Sequence, residues 1–247
     1  MGGKIYLVGI GPGSLDHMTP KAVDTLRRAQ VIVGHKTHLD PINELVSGKK
    51  VISEKMSPIE RAEVAVKEAL KGKIVAIVSV GDPGIYAIAS IFFDLLKERD
   101  LRVAVEVVPG ITAANSAAAL LGSPLGHGFA AISIGDLATP WEIIERQLEL
   151  AAKADFVVVL YNPRSKDGDW RLKRAAQILM KNKKVTTPVG IVTNAMMEGE
   201  RVQITTLGEM LDCKIDTQST VIIGNSETFV FNGRLVTPRK YEIGLGY

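Results

Sequence analysis

Three segments rich in glycine and proline are the residues best suited to hold a ligand through the backbone. They cover residues 9–13, 81–86 and 108–114, and each follows a short apolar run. Glycine has no Cβ atom, so its amide and carbonyl groups can approach a ligand closely. If the apolar runs are parallel strands, all three segments lie at the carboxyl edge of a sheet, where open α/β proteins bind ligands. We therefore predict one shared site; three unrelated strand-to-helix turns are the alternative.

The first segment does not match the common phosphate-binding signatures. A dinucleotide fold needs a third glycine beyond Gly9 and Gly11 and then an acidic residue at the end of the second strand. The chain instead continues with Ser14 and Leu15, and its second strand ends at Gly34 and His35. No Gly-Lys-Ser/Thr follows either, which excludes a Walker loop. The segment is predicted to be a tight turn, or a turn that a bulky ligand approaches.

The side chains that form covalent, redox or metal centres are few. A single cysteine, Cys213, excludes an internal disulfide and any site built from several cysteines. Of the four histidines only His35 and His38 are close in sequence, and no carboxylate cluster accompanies them. We expect no metal site and no nucleophile–histidine dyad.

Composition limits the partners. The 247 residues carry a formal net charge of +3, with basic and acidic residues interspersed rather than gathered in a stripe. This pattern argues against a nucleic-acid partner. No apolar run approaches the roughly 20 residues that span a bilayer, and the N-terminus is unlike a signal peptide. We expect no membrane partner, and a cytoplasmic protein.

The elements that must position these segments alternate between strand-like and amphipathic stretches, which predicts an α/β fold. Thr19, Ser57 and Thr139 each precede a proline, a pattern typical of an N-cap followed by proline at the first helical position. Glu60 and Glu142 would complete capping boxes at the second and third of these helices.

A linker is predicted at residues 122–128, which are rich in glycine and proline. It divides the chain into an N-terminal α/β domain, residues 1–121, and a C-terminal α/β domain, residues 122–247. The second domain ends in three short strand-like pieces at 202–205, 220–223 and 228–231. This late excess of strands predicts a mixed sheet.

In their order and spacing the three segments resemble the tetrapyrrole methylase family of enzymes, which use S-adenosylmethionine (SAM). The resemblance covers nearly the whole chain. Residues 136–145 and 160–166 are similar to stretches typical of the precorrin-3B methyltransferases that act at carbon 17. The chain departs from the family's usual ending by Lys240 in place of glycine.

The resemblance implies two α/β domains of the tetrapyrrole methylase type, with the cofactor cleft between them. It also implies a cofactor-binding set drawn from both halves of the chain, which comprises Gly81, Asp82, Ile85, Thr112, Ala113, Tyr161, Asn162, Asn194 and Ala195. The first segment then forms a wall of the tetrapyrrole trough, with Gly11, Pro12 and Gly13 as substrate-binding residues.

The resemblance further implies methylation of carbon 17 of precorrin-3B or cobalt-factor III, with ring contraction, by a homodimer. The substrate carries carboxylates around its rim, and arginine is suited to bind carboxylates. Arg164 and Lys166 are the candidates, unless their loop is only a solvated connection. Ring contraction needs proton transfer, but no catalytic residue is assigned; Tyr86, His127 and Asp136 lie nearest the motifs.

Two other functions stay open at this point. One is a different tetrapyrrole methylase, acting at another corrin position or on uroporphyrinogen III. The other is a nucleotide-binding module without catalysis. A titration with SAM separates the last from the enzymes.

Overall fold

A computed structural model of the chain describes residues 2–136, 138–164 and 168–239. The chain divides into two compact units between Thr112 and Ala113. Each unit has its own sheet with helices packed on it, so the predicted α/β class is confirmed. No helix within the described residues is long and apolar enough to cross a membrane.

The helices are α1 (Pro20–Arg28), α2 (Lys36–Leu39), α3 (Asn43–Val46), α4 (Pro58–Leu70), α5 (Ile88–Glu98), α6 (Ala113–Leu121), α7 (Trp141–Lys153) and α8 (Trp170–Met180). The strands are β1 (Lys4–Gly9), β2 (Val31–Val33), β3 (Lys50–Ile52), β4 (Ile74–Ser79), β5 (Ala104–Val108), β6 (Gly122–Ser123), β7 (Phe129–Ser133), β8 (Val157–Tyr161), β9 (Pro188–Thr193), β10 (Arg201–Thr206), β11 (Ser219–Ile223), β12 (Phe229–Phe231) and β13 (Arg234–Val236).

The first unit is built on a five-stranded sheet in the order β3-β2-β4-β1-β5. All of its strand pairs are parallel. Alternate side chains of β1 reach opposite faces: Ile5 and Leu7 pack against α4 and α5, and Val8 packs against α1, α2 and α3. Burial on both faces explains why these strands read as continuous apolar runs. Because all five strands run parallel, their carboxyl ends lie at one edge of the sheet.

Two of the three predicted helix starts are confirmed in the first unit. The hydroxyl of Thr19 accepts a hydrogen bond from the Ala22 N–H at 3.2 Å, and Pro20 is the first residue of α1. At α4 the hydroxyl of Ser57 accepts from the Glu60 N–H, and the Glu60 carboxylate accepts from the Ser57 N–H at 2.6 Å. The predicted capping box therefore fixes the start of α4.

The second unit holds a five-stranded sheet in the order β10-β9-β11-β8-β7. The β7–β8 pair is parallel and the other pairs are antiparallel, so the predicted mixed sheet is confirmed. Helices α7 and α8 cover one face through Ile144, Leu148 and Leu172. Helix α6 covers the other face.

The predicted domain boundary, between residues 121 and 122, lies too far along the chain. Helix α6 precedes that boundary, yet Ala117 and Leu121 pack on Val159 and Val192 of the second sheet. The fit is close, since a Cβ atom on Gly190 would overlap the Leu121 side chain. The second unit therefore begins at Ala113. No pattern in the sequence indicates the sheet on which this helix packs.

The segment predicted as a linker contains part of a small sheet. Gly122 and Ser123 form β6, which pairs in parallel with β13, and β13 pairs with β12. Glycine is favoured at position 122 because the backbone there has φ of +126°, a conformation that other residues rarely adopt. A glycine-rich sequence thus predicted a connection where the chain forms an edge strand.

The predicted N-cap at Thr139 is wrong. Helix α7 starts one residue later, with Pro140 at the N-cap position and no capping side chain. The Thr139 hydroxyl instead donates to the Asp136 carboxylate at 2.6 Å, and the Ala138 N–H donates to the same carboxylate. This upstream turn occupies the hydroxyl that would have capped the helix.

Candidate active site

The three glycine-rich loops of the first unit meet at the carboxyl edge of the sheet. The Gly11 N–H donates to the Gly81 carbonyl at 3.0 Å, which joins the loop after β1 to the loop after β4. A Cβ atom on Gly9 would lie 2.6 Å from the Gly110 nitrogen and 2.7 Å from the Gly81 oxygen. Cβ atoms on Gly11 and Gly110 would overlap backbone as well. The structure thus brings the three predicted segments together, backbone against backbone.

Asp82 is the side chain that fastens these loops to each other. Its Oδ1 accepts from the Gly84 N–H at 2.7 Å, and its Oδ2 accepts from the Gly110 N–H at 3.1 Å. The carboxylate therefore links the loop after β4 to the loop after β5. Its predicted contact with a cofactor stays a prediction.

The remaining predicted residues of the first unit differ in exposure. Gly11, Pro12 and Gly13 are buried, so they support the loop, and their predicted contact with substrate stays a prediction. Ile85 is 43% exposed and its neighbour Tyr86 is 49% exposed. Thr112 is half-buried at the end of the unit. Exposed apolar side chains beside a glycine-rich loop offer a surface to an apolar or mixed ligand.

In the second unit, Ala113, Tyr161 and Ala195 lie in one apolar cluster, although they come from three separate segments of the chain. The Tyr161 hydroxyl accepts a hydrogen bond from the Ala114 N–H at 3.0 Å and so holds the start of α6. Sequence reasoning placed these residues in one cofactor site, and the structure brings them together. The structural role of the Tyr161 hydroxyl had no signal in the sequence.

Asn162 and Asn194 each follow a strand at the same edge of the second sheet. Strands β8 and β9 are both antiparallel to β11, which lies between them, so their carboxyl ends share one edge. The two asparagines have positive φ, 48° and 50°. Asn162 Nδ2 donates to the Ser133 hydroxyl at 3.0 Å, and the Asn194 N–H donates to the Gln218 carbonyl at 3.2 Å. These contacts fix the turns that leave the two strands.

The guanidinium of Arg164, in the predicted basic loop, has three contacts within the second unit. Arg164 donates from Nη2 to Asp169 at 2.9 Å and from Nη1 to the Ile215 carbonyl at 3.0 Å, and its Nε is ion-paired with the same carboxylate. The guanidinium predicted to bind substrate carboxylates therefore already has acceptors within the unit. Lys166, the second candidate, lies outside the described residues. Nothing in the contacts of Arg164 tests its role toward substrate.

Of the candidates for proton transfer, Asp136 is engaged in the turn before α7, where both its carboxylate oxygens accept hydrogen bonds. Tyr86 and His127 are exposed. In the part of the chain that the structure describes, no three His, Cys, Asp or Glu side chains gather so that they could hold a metal ion.

Sequence reasoning missed one group at the carboxyl edge of the first sheet. It considered His35 and His38 only as metal ligands and did not consider Arg61. In the structure the two histidine rings are 5.5 Å apart. Burial lowers the pKa of His38, and the charges of His35 and Arg61 lower it further. The signal available in the sequence was the position of His35, just after the second strand.

The family model of the Tetrapyrrole (Corrin/Porphyrin) Methylases matches residues 4–211. The chain is 42% identical over 240 residues to the probable cobalt-factor III C(17)-methyltransferase of Salmonella typhimurium, covering 97% of this chain and 100% of that protein. It is 41% identical over 247 residues to the cobalt-factor III methyltransferase of Priestia megaterium. That match covers 98% of this chain but 46% of the relative, so the chain spans about half the length of that protein.

Solved structures agree with the sequence relatives. The methyltransferase CobJ superposes with a TM-score of 0.87 at 31% identity, covering 96% of this chain and 100% of that one. Uroporphyrin-III C-methyltransferase from Thermus thermophilus, solved with S-adenosylhomocysteine (SAH), gives a TM-score of 0.72 at 25% identity, covering 90% and 97%. The glycine-rich loops, the two sheets and these matches together show that the chain belongs to the tetrapyrrole methylase family.

Proposed function

We propose that the chain is a SAM-dependent methyltransferase of corrin biosynthesis that methylates carbon 17 of cobalt-factor III or precorrin-3B with ring contraction. The main support is the near full-length similarity to proteins named for that reaction, on a chain whose three glycine-rich loops pack against one another. Residues 136–145 and 160–166, which are similar to stretches typical of carbon-17 methyltransferases, favour this reaction over that of another tetrapyrrole methylase.

We further propose that SAM is held by two sets of residues. In the first unit these are Gly81, Asp82, Ile85 and Thr112, and in the second Ala113, Tyr161, Asn162, Asn194 and Ala195. The residues fit such a ligand: the apolar cluster around Tyr161 suits an adenine ring, and the turns at Asn162 and Asn194 place backbone polar groups at the same edge. The SAH found in the Thermus relative supports the proposal.

When bound, SAM supplies a methyl group already activated by the positive charge of its sulfur. The chain then holds SAM and aligns it with the substrate, and no covalent intermediate with the chain is needed. Alignment of two reactants can lower a barrier by roughly 7–11 kcal/mol in favourable cases. The mutual packing of Gly9, Gly81 and Gly110 makes the loops rigid, and the exposed Ile85 would exclude water from the bound ligand. No proton-transfer residue is assigned, and Tyr86, His127 and Asp136 stay the candidates.

One experiment tests this function. The chain is incubated with SAM and, in separate reactions, with cobalt-factor III or precorrin-3B, and the product is examined by mass spectrometry. The expected product has gained one methyl group at carbon 17 and SAH has formed. The comparison between the two reactions shows which substrate the chain prefers. Turnover of uroporphyrinogen III instead would assign the chain to a sister methylase.

We also propose a homodimer, as the family resemblance implies, and a location in the cytoplasm, as the composition predicts. Light scattering at micromolar concentration is expected to give about twice the chain mass of 26.6 kDa. A mass near that of one chain would contradict the dimer without affecting the proposed reaction.

A further inference from the structure

The backbone of Met196 has a conformation that methionine rarely adopts. Its φ is +57°, in the left-handed region that a Cβ atom disfavours. In the part of the chain that the structure describes, seven residues other than glycine have positive φ, and five of them are asparagine or aspartate. Those two residue types tolerate this region because their short polar side chains bond locally. The other two are Tyr86 and Met196, whose conformation the surrounding structure must impose.

Hydrogen bonds within the loop after β9 impose it on Met196. The Met197 N–H donates to the Asn194 carbonyl at 3.0 Å, which closes a turn with Met196 at its third position. Positive φ at the third position is typical of a type II turn, where glycine or asparagine is usual. The Met196 N–H donates to the Glu200 carboxylate at 2.7 Å. Asn194 Nδ2 donates across the loop to the Glu198 carbonyl at 3.3 Å. The loop thus keeps a methionine where glycine would be less strained.

The two strained residues lie next to residues proposed to bind SAM. Tyr86 directly follows Ile85 in the loop after β4. Met196 directly follows Ala195, which packs against the apolar cluster that contains Tyr161. Met196 is half-buried, so part of its surface is open to a ligand. Strain that a fold retains in such a place is typical of functional sites. Binding by the Met196 side chain would explain why this position is not glycine.

We propose that Met196 contacts the adenine ring of SAM, and that the strained turn is retained to hold its side chain there. The proposal rests on the proposed cofactor site, since it assumes that adenine lies beside Ala195 and Tyr161. A thioether packs favourably against an aromatic ring because its sulfur is polarisable. Glu200 is then a positioning residue, because its carboxylate acts through the backbone N–H of Met196.

Substitution of Met196 by glycine and by alanine separates binding from folding. Met196→Gly removes the side chain but suits the turn, so SAH affinity from calorimetry should fall roughly three- to thirtyfold. Met196→Ala should weaken SAH to a similar degree. Its Tm should nevertheless lie below that of Met196→Gly, because alanine keeps the strain that glycine relieves. Met196→Leu, which conserves the apolar volume, should retain affinity within about threefold.

A purely structural Met196 gives a different result. The glycine and alanine variants would then unfold at lower temperature than wild type while both bind SAH within twofold of it, which would overturn the proposal. Asn232→Gly is the matched control, because Asn232 has a similar φ of 47° in the turn between β12 and β13. It should leave SAH affinity unchanged. An equal loss of affinity in this control would also count against a contact specific to Met196.

A double-mutant cycle tests the positioning role of Glu200. Glu200→Ala removes the acceptor of the Met196 N–H, so SAH affinity should fall, though less than in Met196→Gly. Glu200→Gln keeps an acceptor and should recover part of the loss. In the Met196→Gly background, Glu200→Ala should cause no further loss, because the side chain that it positions is gone. Additive losses would reject the positioning role.

The SAH measurements separate this inference from the proposed reaction, because they need no tetrapyrrole. If the wild-type chain binds SAH but methylates neither cobalt-factor III nor precorrin-3B, the variants still decide the role of Met196. If the wild-type chain methylates a substrate and Met196→Gly binds SAH as tightly as wild type, only the inference fails. Absence of SAH binding by the wild-type chain would overturn the inference together with the proposed cofactor site.

Discussion

The carboxylate of Asp82 links two loops and is proposed to contact SAM, and one substitution tests both roles. Asp82→Ala removes the acceptor of the Gly84 and Gly110 N–H groups, so we expect the free energy of unfolding to fall by about 1–3 kcal/mol. If Asp82 also contacts SAM, the dissociation constant of SAH rises in the folded fraction. Urea unfolding and calorimetry on the same variant give both values. An unchanged SAH affinity would remove Asp82 from the cofactor site and leave it as a tie between loops.

A pair of substitutions tests whether Arg164 binds substrate, with its partner Asp169 as the control. If Arg164 exchanges Asp169 for a rim carboxylate, Arg164→Ala should raise the tetrapyrrole KM about ten- to a hundredfold. Asp169→Ala should then leave KM unchanged or lower it, because the arginine loses a competing partner. Steady-state kinetics at two salt concentrations measure both variants. If Arg164→Ala keeps KM within twofold at either salt concentration, the pair has only a structural role.

Among the elements, α4 has the most clearly defined start, and its first turn carries Arg61. Ser57→Ala should lower the free energy of unfolding by about 1 kcal/mol at pH 7. The Ser57 N–H lowers the pKa of Glu60, so this part of the capping box stabilises the fold above the ordinary glutamate value of 4.5 and is lost as pH falls through the lowered pKa. We therefore expect the destabilising effect of Glu60→Ala, which removes this acceptor, to shrink in acid. Denaturant unfolding at pH 7 and pH 3 checks this, and an equal effect at both would contradict it.

Local patterns predicted the elements well wherever a local rule decides the structure. The caps at Thr19 and Ser57 and the apolar runs that form β1, β4 and β5 were recognised from the sequence. Hydrogen bonding at a cap and apolar periodicity both act within a few residues. Strand β3 and the short helices α2 and α3 were missed, since three or four residues give no period to read. The cap at Thr139 failed because Asp136 competes for the same hydroxyl.

The glycine-rich loops of the candidate site could be predicted from the sequence. The contacts that its side chains make could not. Glycines that pack backbone against backbone leave a sequence signal, because no other residue fits at Gly11 or Gly110. The Ile215 carbonyl that accepts from Arg164 lies 51 residues further along the chain. No spacing rule within one sequence reports such contacts.

At the scale of the whole molecule, the proposed function requires one SAM site per chain. Calorimetry with SAH should give a stoichiometry near one, and SAH should raise Tm. At a concentration a hundred times the dissociation constant, binding to the folded state alone adds about 2.7 kcal/mol of stability. No heat and no change in Tm at millimolar SAH would contradict the enzyme and favour a chain without this cofactor.

Helix α6 sets where the chain can be cut into independent fragments. A fragment that begins at Gly122 would lose Ala114, Ala117 and Leu121, which cover one face of the second sheet. It would expose Val159 and Val192 to water and invite aggregation. A fragment that begins at Ala113 keeps that cover, together with the tie from Tyr161 to Ala114. Comparing the soluble yield of the two fragments tests whether these nine residues decide if the C-terminal half can be purified alone. The longer fragment is the better starting point for work on that half.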